Sequence, residues 1–211
     1  MTVTVEATCF TPAQLPPESL PEIVVAGRSN VGKSSLINAL LGTKLAHVGG
    51  TPGKTRSINF YRIEAQEQPP QDAPSSSSET SPLPCPAFRL VDLPGYGYAA
   101  RSKTEKRDWL RLISAYVEHR ESLQLVCHLV DFRHGLLAND RELQEWFVQQ
   151  GKNLLVVFTK ADKLPKGQWR GKVQQYVREG LYSVDVPIVT SAEKRAGIEE
   201  LRSFIKGFLT H

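Results

Sequence analysis

No apolar run in this sequence comes near the ~20 residues that a membrane-crossing helix requires; even the longest, such as LLVVF at 154–158, are only long enough for a strand. Cysteine is scarce: Cys9, Cys85 and Cys127 stand far apart, form no CxxC pair and are odd in number. That argues against a disulfide framework and a zinc site, and it fits reduced thiols in a cytoplasmic protein. The first ten residues, MTVTVEATCF, have neither the basic start nor the apolar core of a secretion signal. Neither sign of charge is in large excess: 26 lysines and arginines against 22 acidic residues leave a net charge of +4, which admits a nucleic-acid partner without requiring one. Internal repeats and coiled-coil heptads are missing too, which argues against self-assembly and for a monomer.

What is present is an alternation of short apolar runs with helical patterns, the signature of an α/β fold. The 211 residues suffice for one domain that buries roughly 70% of its unfolded surface. Strands are expected at 22–27 (EIVVAG), 57–65, 88–93 (FRLVDL), 123–132, 153–159 and 186–191. Helices are expected at 33–41, 104–120, 140–150, 167–181 and 198–209; the second carries Trp109, Leu112, Ile113, Tyr116 and Val117 at helical spacing. The whole predicts a six-stranded, mostly parallel sheet with helices on both faces. One segment breaks the alternation. Residues 66–87 hold six prolines and five serines and too little apolar surface to order themselves. They read as a flexible loop that replaces a hairpin turn within a single domain spanning 1–211.

The stretch GRSNVGKS matches GxxxxGK[ST], with Gly27, Gly32, Lys33 and Ser34 at its defining positions and Arg28, Ser29, Asn30 and Val31 between them. It follows an expected strand and opens an expected helix, as a phosphate-binding loop must. Its glycines let the backbone wrap so that N–H groups face phosphate oxygens, and the helix N-terminus adds a favourable dipole. Lys33 would reach the β- and γ-phosphates and Ser34 would put its hydroxyl on magnesium.

Which nucleotide is held depends on what lies downstream. DLPG (Asp92, Leu93, Pro94, Gly95) ends a strand, where the carboxylate can hold magnesium through water and the Gly95 N–H can face a γ-phosphate. In TKAD (Thr159, Lys160, Ala161, Asp162), Asp162 can accept hydrogen bonds from the N1–H and exocyclic amine of guanine, a donor pair that adenine lacks. Lys160 would lay its stem along the base. The last strand leads into Val189, Thr190 and Ser191, where backbone N–H groups, chiefly around Ser191 and Ala192, can meet the guanine carbonyl. All of these motifs fall beyond the carboxyl ends of strands, where open α/β sheets bind ligands.

GRSNVGKSSLINAL, TPGKTRSINFY, DLPGYGYA, TKADK and TSA together resemble the EngB family, also called YihA or YsxC, over almost the whole chain. VDFRHGL, at 130–136, is similar to that family's D-x-R-H turn. The resemblance implies the P-loop GTPase fold and a GTP-binding protein that acts in assembly of the large ribosomal subunit, contacting its RNA and proteins, and is needed for normal growth and septation. By position it makes Gly53, Lys54, Thr55, Arg56 and Ser57 the first switch, with Thr55 closing on magnesium. The second switch would start at Gly95, and its Arg101, Lys103, Lys106 and Arg107 could meet RNA phosphates.

Ras-type GTPases place a water-orienting glutamine just after DxxG; here that position is Tyr96, and a phenol cannot do the same work. Asn30 stands where related NVGKS GTPases hold a potassium ion, which would leave Lys33, Asn30, Thr55 and Gly95 as the catalytic set, with slow turnover until potassium or a ribosomal partner assists. The other reading of Asn30 is a loop cap. Three functions stay open: a GTPase switch on a ribonucleoprotein, a weakly hydrolysing GTP-binding structural protein of the division septum, and a P-loop ATPase or kinase, against which Asp162 speaks.

Overall fold

The computed structural model describes residues 2–46, 57–64, 86–96 and 103–210. A sheet of seven strands runs through the molecule: β1 (Thr2–Cys9), β2 (Glu22–Gly27), β3 (Ile58–Glu64), β4 (Phe88–Asp92), β5 (Leu123–Asp131), β6 (Leu154–Thr159) and β7 (Ile188–Val189). Their order is β1-β3-β4-β2-β5-β6-β7. β2 pairs in parallel with β4 and β5, and β6 with β5 and β7, whereas β3 is antiparallel to both β1 and β4. Every residue of β2, β4 and β6 is buried, as expected for strands with both faces covered.

Side chains of β2 alternate between the two faces, and each face has its own core. Val24 and Ala26 join Leu112, Ile113 and Tyr116 of α2 (Lys103–Val117), Phe147 of α3 (Ala138–Gln149) and Tyr176 of α4 (Trp169–Arg178). Ile23 and Val25 join Leu36, Ile37 and Leu40 of α1 (Lys33–Leu41) and Ile198, Leu201 and Ile205 of α5 (Ile198–Leu209). The expected three layers are therefore present: α1 and α5 on one face, α2 to α4 on the other.

Two expectations are corrected. The sheet has seven strands, not six, because 2–9 pairs along β3 at the edge. A bulge between Val5 and Ala7 shifts the register there. Since one extra residue flips which face each side chain meets, Val3 packs against one core, and Ala7 and Cys9 against the other. Glu6 anchors this edge through Arg89 of β4, whose Nη2 donates to Oε1 at 2.6 Å. The last strand is also shorter than expected: Ile188 and Val189 alone pair in ladder register, since Val186 is 72% exposed.

The Pro/Ser-rich segment falls outside the described residues except for Pro86 and Ala87. The strand that follows begins at Phe88, at the pole of the sheet opposite the phosphate loop, and delivers Asp92 at its far end. Near that pole, buried Glu22 accepts from Arg120 Nε and Nη2 at 2.7 Å each and from the Tyr116 hydroxyl at 2.8 Å.

Candidate functional site

The phosphate loop is the turn from β2 into α1. Gly32 adopts φ +104°, a backbone closed to other residues without strain. A Cβ on Gly27 would come 2.8 Å from Val31 Cγ1 and 3.0 Å from Leu129 Cβ, so the loop leaves the strand against its neighbour. The loop's carbonyls are claimed from the side: Thr159 Oγ1 donates to the Val31 carbonyl at 2.7 Å and Lys160 Nζ to that of Asn30 at 2.6 Å. Its amides are mostly unclaimed. Among the described residues the N–H groups of Asn30, Gly32, Lys33 and Ser34 meet no acceptor. Consecutive inward N–H groups at a helix start form an anion cradle. Asn30 itself sits in the left-handed region at φ +63°, exposed.

Inside this turn Lys33 Nζ pairs with Asp92 Oδ1, both side chains nearly buried. Burial pushes the Asp92 carboxyl up, and the Lys33 ammonium pulls it back down. The pair is mutually neutral, and each member has a different prospective partner: phosphate for the lysine, a hard cation for the carboxylate. Ser34 and Asp92 supply the hydroxyl and carboxylate oxygens that suit magnesium. Thr55, the third expected metal ligand, lies outside the described residues with Gly53, Lys54 and Arg56. Ser57 is buried ahead of β3 and donates to Asn59 Oδ1 at 3.3 Å. Leu93 extends the β4 pairing by donating to the Val25 carbonyl at 3.1 Å, and the Pro94 carbonyl accepts Trp109 Nε1 at 3.2 Å. Of the expected basic contacts in the second switch, Arg101 is outside the described residues and Arg107 is exposed.

The base-recognition motifs converge beside this loop. Asp162 Oδ1 accepts the Ser191 hydroxyl at 2.6 Å, and Oδ2 lies 3.0 Å from Lys163 Nζ. The Ser191 hydrogen bond, with Lys163, holds the Asp162 carboxyl below the usual carboxylate range. It is therefore ionised and ready to accept from two N–H groups. Ser191 contributes through its hydroxyl, because its own amide donates to the Ala196 carbonyl at 3.0 Å. Ala161 N–H donates to the Thr190 carbonyl at 3.1 Å, and Thr190 N–H to that of Phe158 at 2.7 Å, tying Val189, Thr190 and Ser191 to the end of β6.

Lys160 bridges the two halves of the site. Besides the Asn30 carbonyl, its Nζ lies 3.1 Å from Asp131 Oδ2, and Arg133 grips the same carboxylate with Nε at 2.9 Å and Nη2 at 2.7 Å. Burial would raise the Asp131 carboxyl, but Arg133 and Lys160 hold it well below its usual range. This anchoring of Lys160 was not legible from spacing; the only hint was the D-x-R-H resemblance.

Tyr96 is oriented inward. Its hydroxyl donates to Asp140 Oδ1 at 2.6 Å and lies 2.7 Å from His128 Nε2. Burial first, and Asp140 next, push its phenol well above the usual range. His128, Asp140 and Gln144 were missed by sequence reading. The one available signal was a histidine inside the apolar strand LQLVCHLVD.

A family model described as a 50S ribosome-binding GTPase matches residues 22–160. The probable GTP-binding protein EngB of Syntrophomonas wolfei is 42% identical over 197 residues, covering 93% of this chain and 91% of that protein. Among solved structures, a probable GTP-binding protein engB aligns with TM-score 0.64 at 22% identity, over 90% of this chain and 98% of that one. Era in complex with MgGDPNP and nucleotides 1506–1542 of 16S ribosomal RNA aligns with TM-score 0.66 at 22% identity, over 89% of this chain and 56% of that one. The fold is that of the P-loop GTPases. With its phosphate loop, DLPG turn and aspartate-bearing TKAD motif meeting at one edge of the sheet, the chain belongs to the EngB family of GTP-binding proteins.

Proposed function

We propose that this protein hydrolyses GTP to GDP and phosphate and works in the cytoplasm as a switch in assembly of the large ribosomal subunit, on which normal division and septation depend. The observation that carries the nucleotide reading is the ionised Asp162, held by Ser191 beside a phosphate loop that shares Lys160 with it. Gly27 to Ser34 would bind the phosphates, with Lys33 giving up Asp92 to take them. Thr159 to Asp162 and Val189 to Ser191 would bind guanine, and Gly53 to Ser57 would form the first switch. Magnesium, when bound to Ser34, Thr55 and, through water, Asp92, supplies positive charge to the phosphates. The chain is read as one GTPase domain, with 66–87 an insertion within it.

The Tyr96 hydroxyl is engaged by Asp140 and His128 and a phenol cannot orient water as an amide does, which supports slow intrinsic turnover. A potassium ion beside Asn30, or docking on the ribosome, would supply the missing charge. Asn30 suits that role, since its side chain makes no hydrogen bond among the described residues and its carbonyl is already pinned by Lys160. The ribosomal reading is supported by the description of the matching family, a 50S ribosome-binding GTPase. Cosedimentation with large ribosomal subunits tests it: binding should be several-fold stronger with a non-hydrolysable GTP analogue than with GDP. Equal pelleting with both nucleotides, or none, would overturn it.

A further inference from the structure

Behind the phosphate loop lies a polar cluster that, apart from Arg28, the proposed phosphate and base contacts do not use. It consists of Arg28, Tyr96, His128, Asp140 and Gln144; His128 and Asp140 are completely buried. Its hydrogen bonds are mutually consistent. Gln144 Nε2 lies 3.2 Å from His128 Nδ1 and 3.3 Å from the Tyr182 carbonyl, so the amide donates to both. That places the imidazole proton on Nε2, from where it is donated to the Tyr96 oxygen, while the Tyr96 hydroxyl spends its own proton on Asp140. The second Asp140 oxygen accepts the Leu137 amide at 2.9 Å, and Arg28 Nε stands 3.3 Å from the first.

The cluster grips one residue at a critical place. Tyr96 directly follows Gly95, and its carbonyl accepts the Ser29 N–H at 3.0 Å, so that Arg28 and Tyr96 form a single bridge between the DLPG turn and the phosphate loop. The approach is close: a Cβ on Gly95 would lie 3.0 Å from Ser29 N. One phosphate-loop amide is thus committed to Tyr96, and the DLPG turn lies against the loop where Gly95 would have to admit a γ-phosphate. Tyr96 is the next residue along, so its hydrogen bonds to Asp140 and His128 adjoin the place where that room would have to be made.

We propose that Tyr96, held by Asp140 and His128, is a positioning residue that sets the preference of this site between GDP and GTP. The hydrogen bonds exist while the DLPG turn rests on Ser29 and are lost when it withdraws, so they oppose the third phosphate and leave the diphosphate untouched. A ligand shifts such an equilibrium only by its differential affinity for the two arrangements. A buried hydrogen bond to a charged carboxylate is strong enough to move that ratio about tenfold.

The proposal rests on the reading that the site binds guanine nucleotides, and the experiment separates the two. Affinities of wild type, Tyr96→Phe and Asp140→Asn are measured with fluorescent GDP and a fluorescent non-hydrolysable GTP analogue. Tyr96→Phe keeps the ring and drops both hydrogen bonds. It should tighten the GTP analogue about tenfold while GDP stays within about twofold. Asp140→Asn keeps the shape and drops the charge, and should move the ratio the same way; it decides the question if Tyr96→Phe does not fold. An unchanged ratio, a common shift of both nucleotides, or a weaker GTP analogue overturns the proposal while leaving the nucleotide site intact. Failure of wild type to bind either nucleotide overturns both.

Discussion

An amide at position 162 would keep the size of the side chain and remove the charge that the guanine N1–H and exocyclic amine would meet. The Ser191 hydroxyl and Lys163 hold the Asp162 carboxyl below the usual carboxylate range. A site built around a buried acceptor discriminates steeply against ligands that leave it unpaired. Asp162→Asn should therefore weaken GTP about 100-fold or more and leave the poor binding of ATP unchanged, measured by titration with fluorescent nucleotides. Loss of both nucleotides together would point instead to a structural role. At this scale Asp162 was legible in the sequence through its motif, but the partner that fixes its charge was not. Ser191 was expected to offer an amide, and it offers a hydroxyl, because the turn after β7 closes its amide onto Ala196.

The phosphate loop is the element on which the remaining chemistry depends. Its carbonyls at Asn30 and Val31 are held by residues at the end of β6, so its conformation belongs to the sheet as much as to its own glycines. If a potassium ion beside Asn30 assists hydrolysis, turnover in potassium buffer should exceed turnover in sodium buffer about tenfold or more, and Asn30→Ala should abolish the difference. Equal rates of phosphate release in the two buffers would remove potassium from the mechanism. The loop was fully readable from its spacing, since glycine and lysine at fixed positions are demanded by local geometry. The edge strand β1 was not read: its alternation is interrupted by the bulge at Val5 and Ala7, and its anchor, Arg89, lies 83 residues away from Glu6.

For the whole molecule, buried ionisable groups predict a dependence of stability on pH. Burial pushes His128 down from 6.5 to about 4, which keeps it neutral in the folded state. Above pH 6.5 both states are neutral there and the contribution is complete. As the pH falls through 6.5 the unfolded chain takes up the proton first, so stability falls by about 3 kcal/mol until the folded form is protonated as well near pH 4. Below that, Asp131, whose carboxyl is depressed when folded, withdraws stability in the same direction. Asp92, raised by burial, partly offsets it. Urea unfolding between pH 7 and 4 should show this decline, and His128→Asn should flatten it; an unchanged slope in the variant would refute the assignment. No helix among the described residues is long and apolar enough to cross a membrane.

By itself the sequence determined the α/β alternation, the phosphate loop, and the order of DLPG, TKAD and TSA along the chain. These rest on local rules, namely apolar periodicity and residue types at short fixed separations. Only the tertiary structure decided which groups face one another: Lys33 with Asp92, Lys160 with both Asn30 and Asp131, and Tyr96 with His128 and Asp140. Such pairs join residues 29 to 130 positions apart. Their geometry is set by strand order and by the burial that forces each polar group to find a partner, and neither is written in any short stretch of chain.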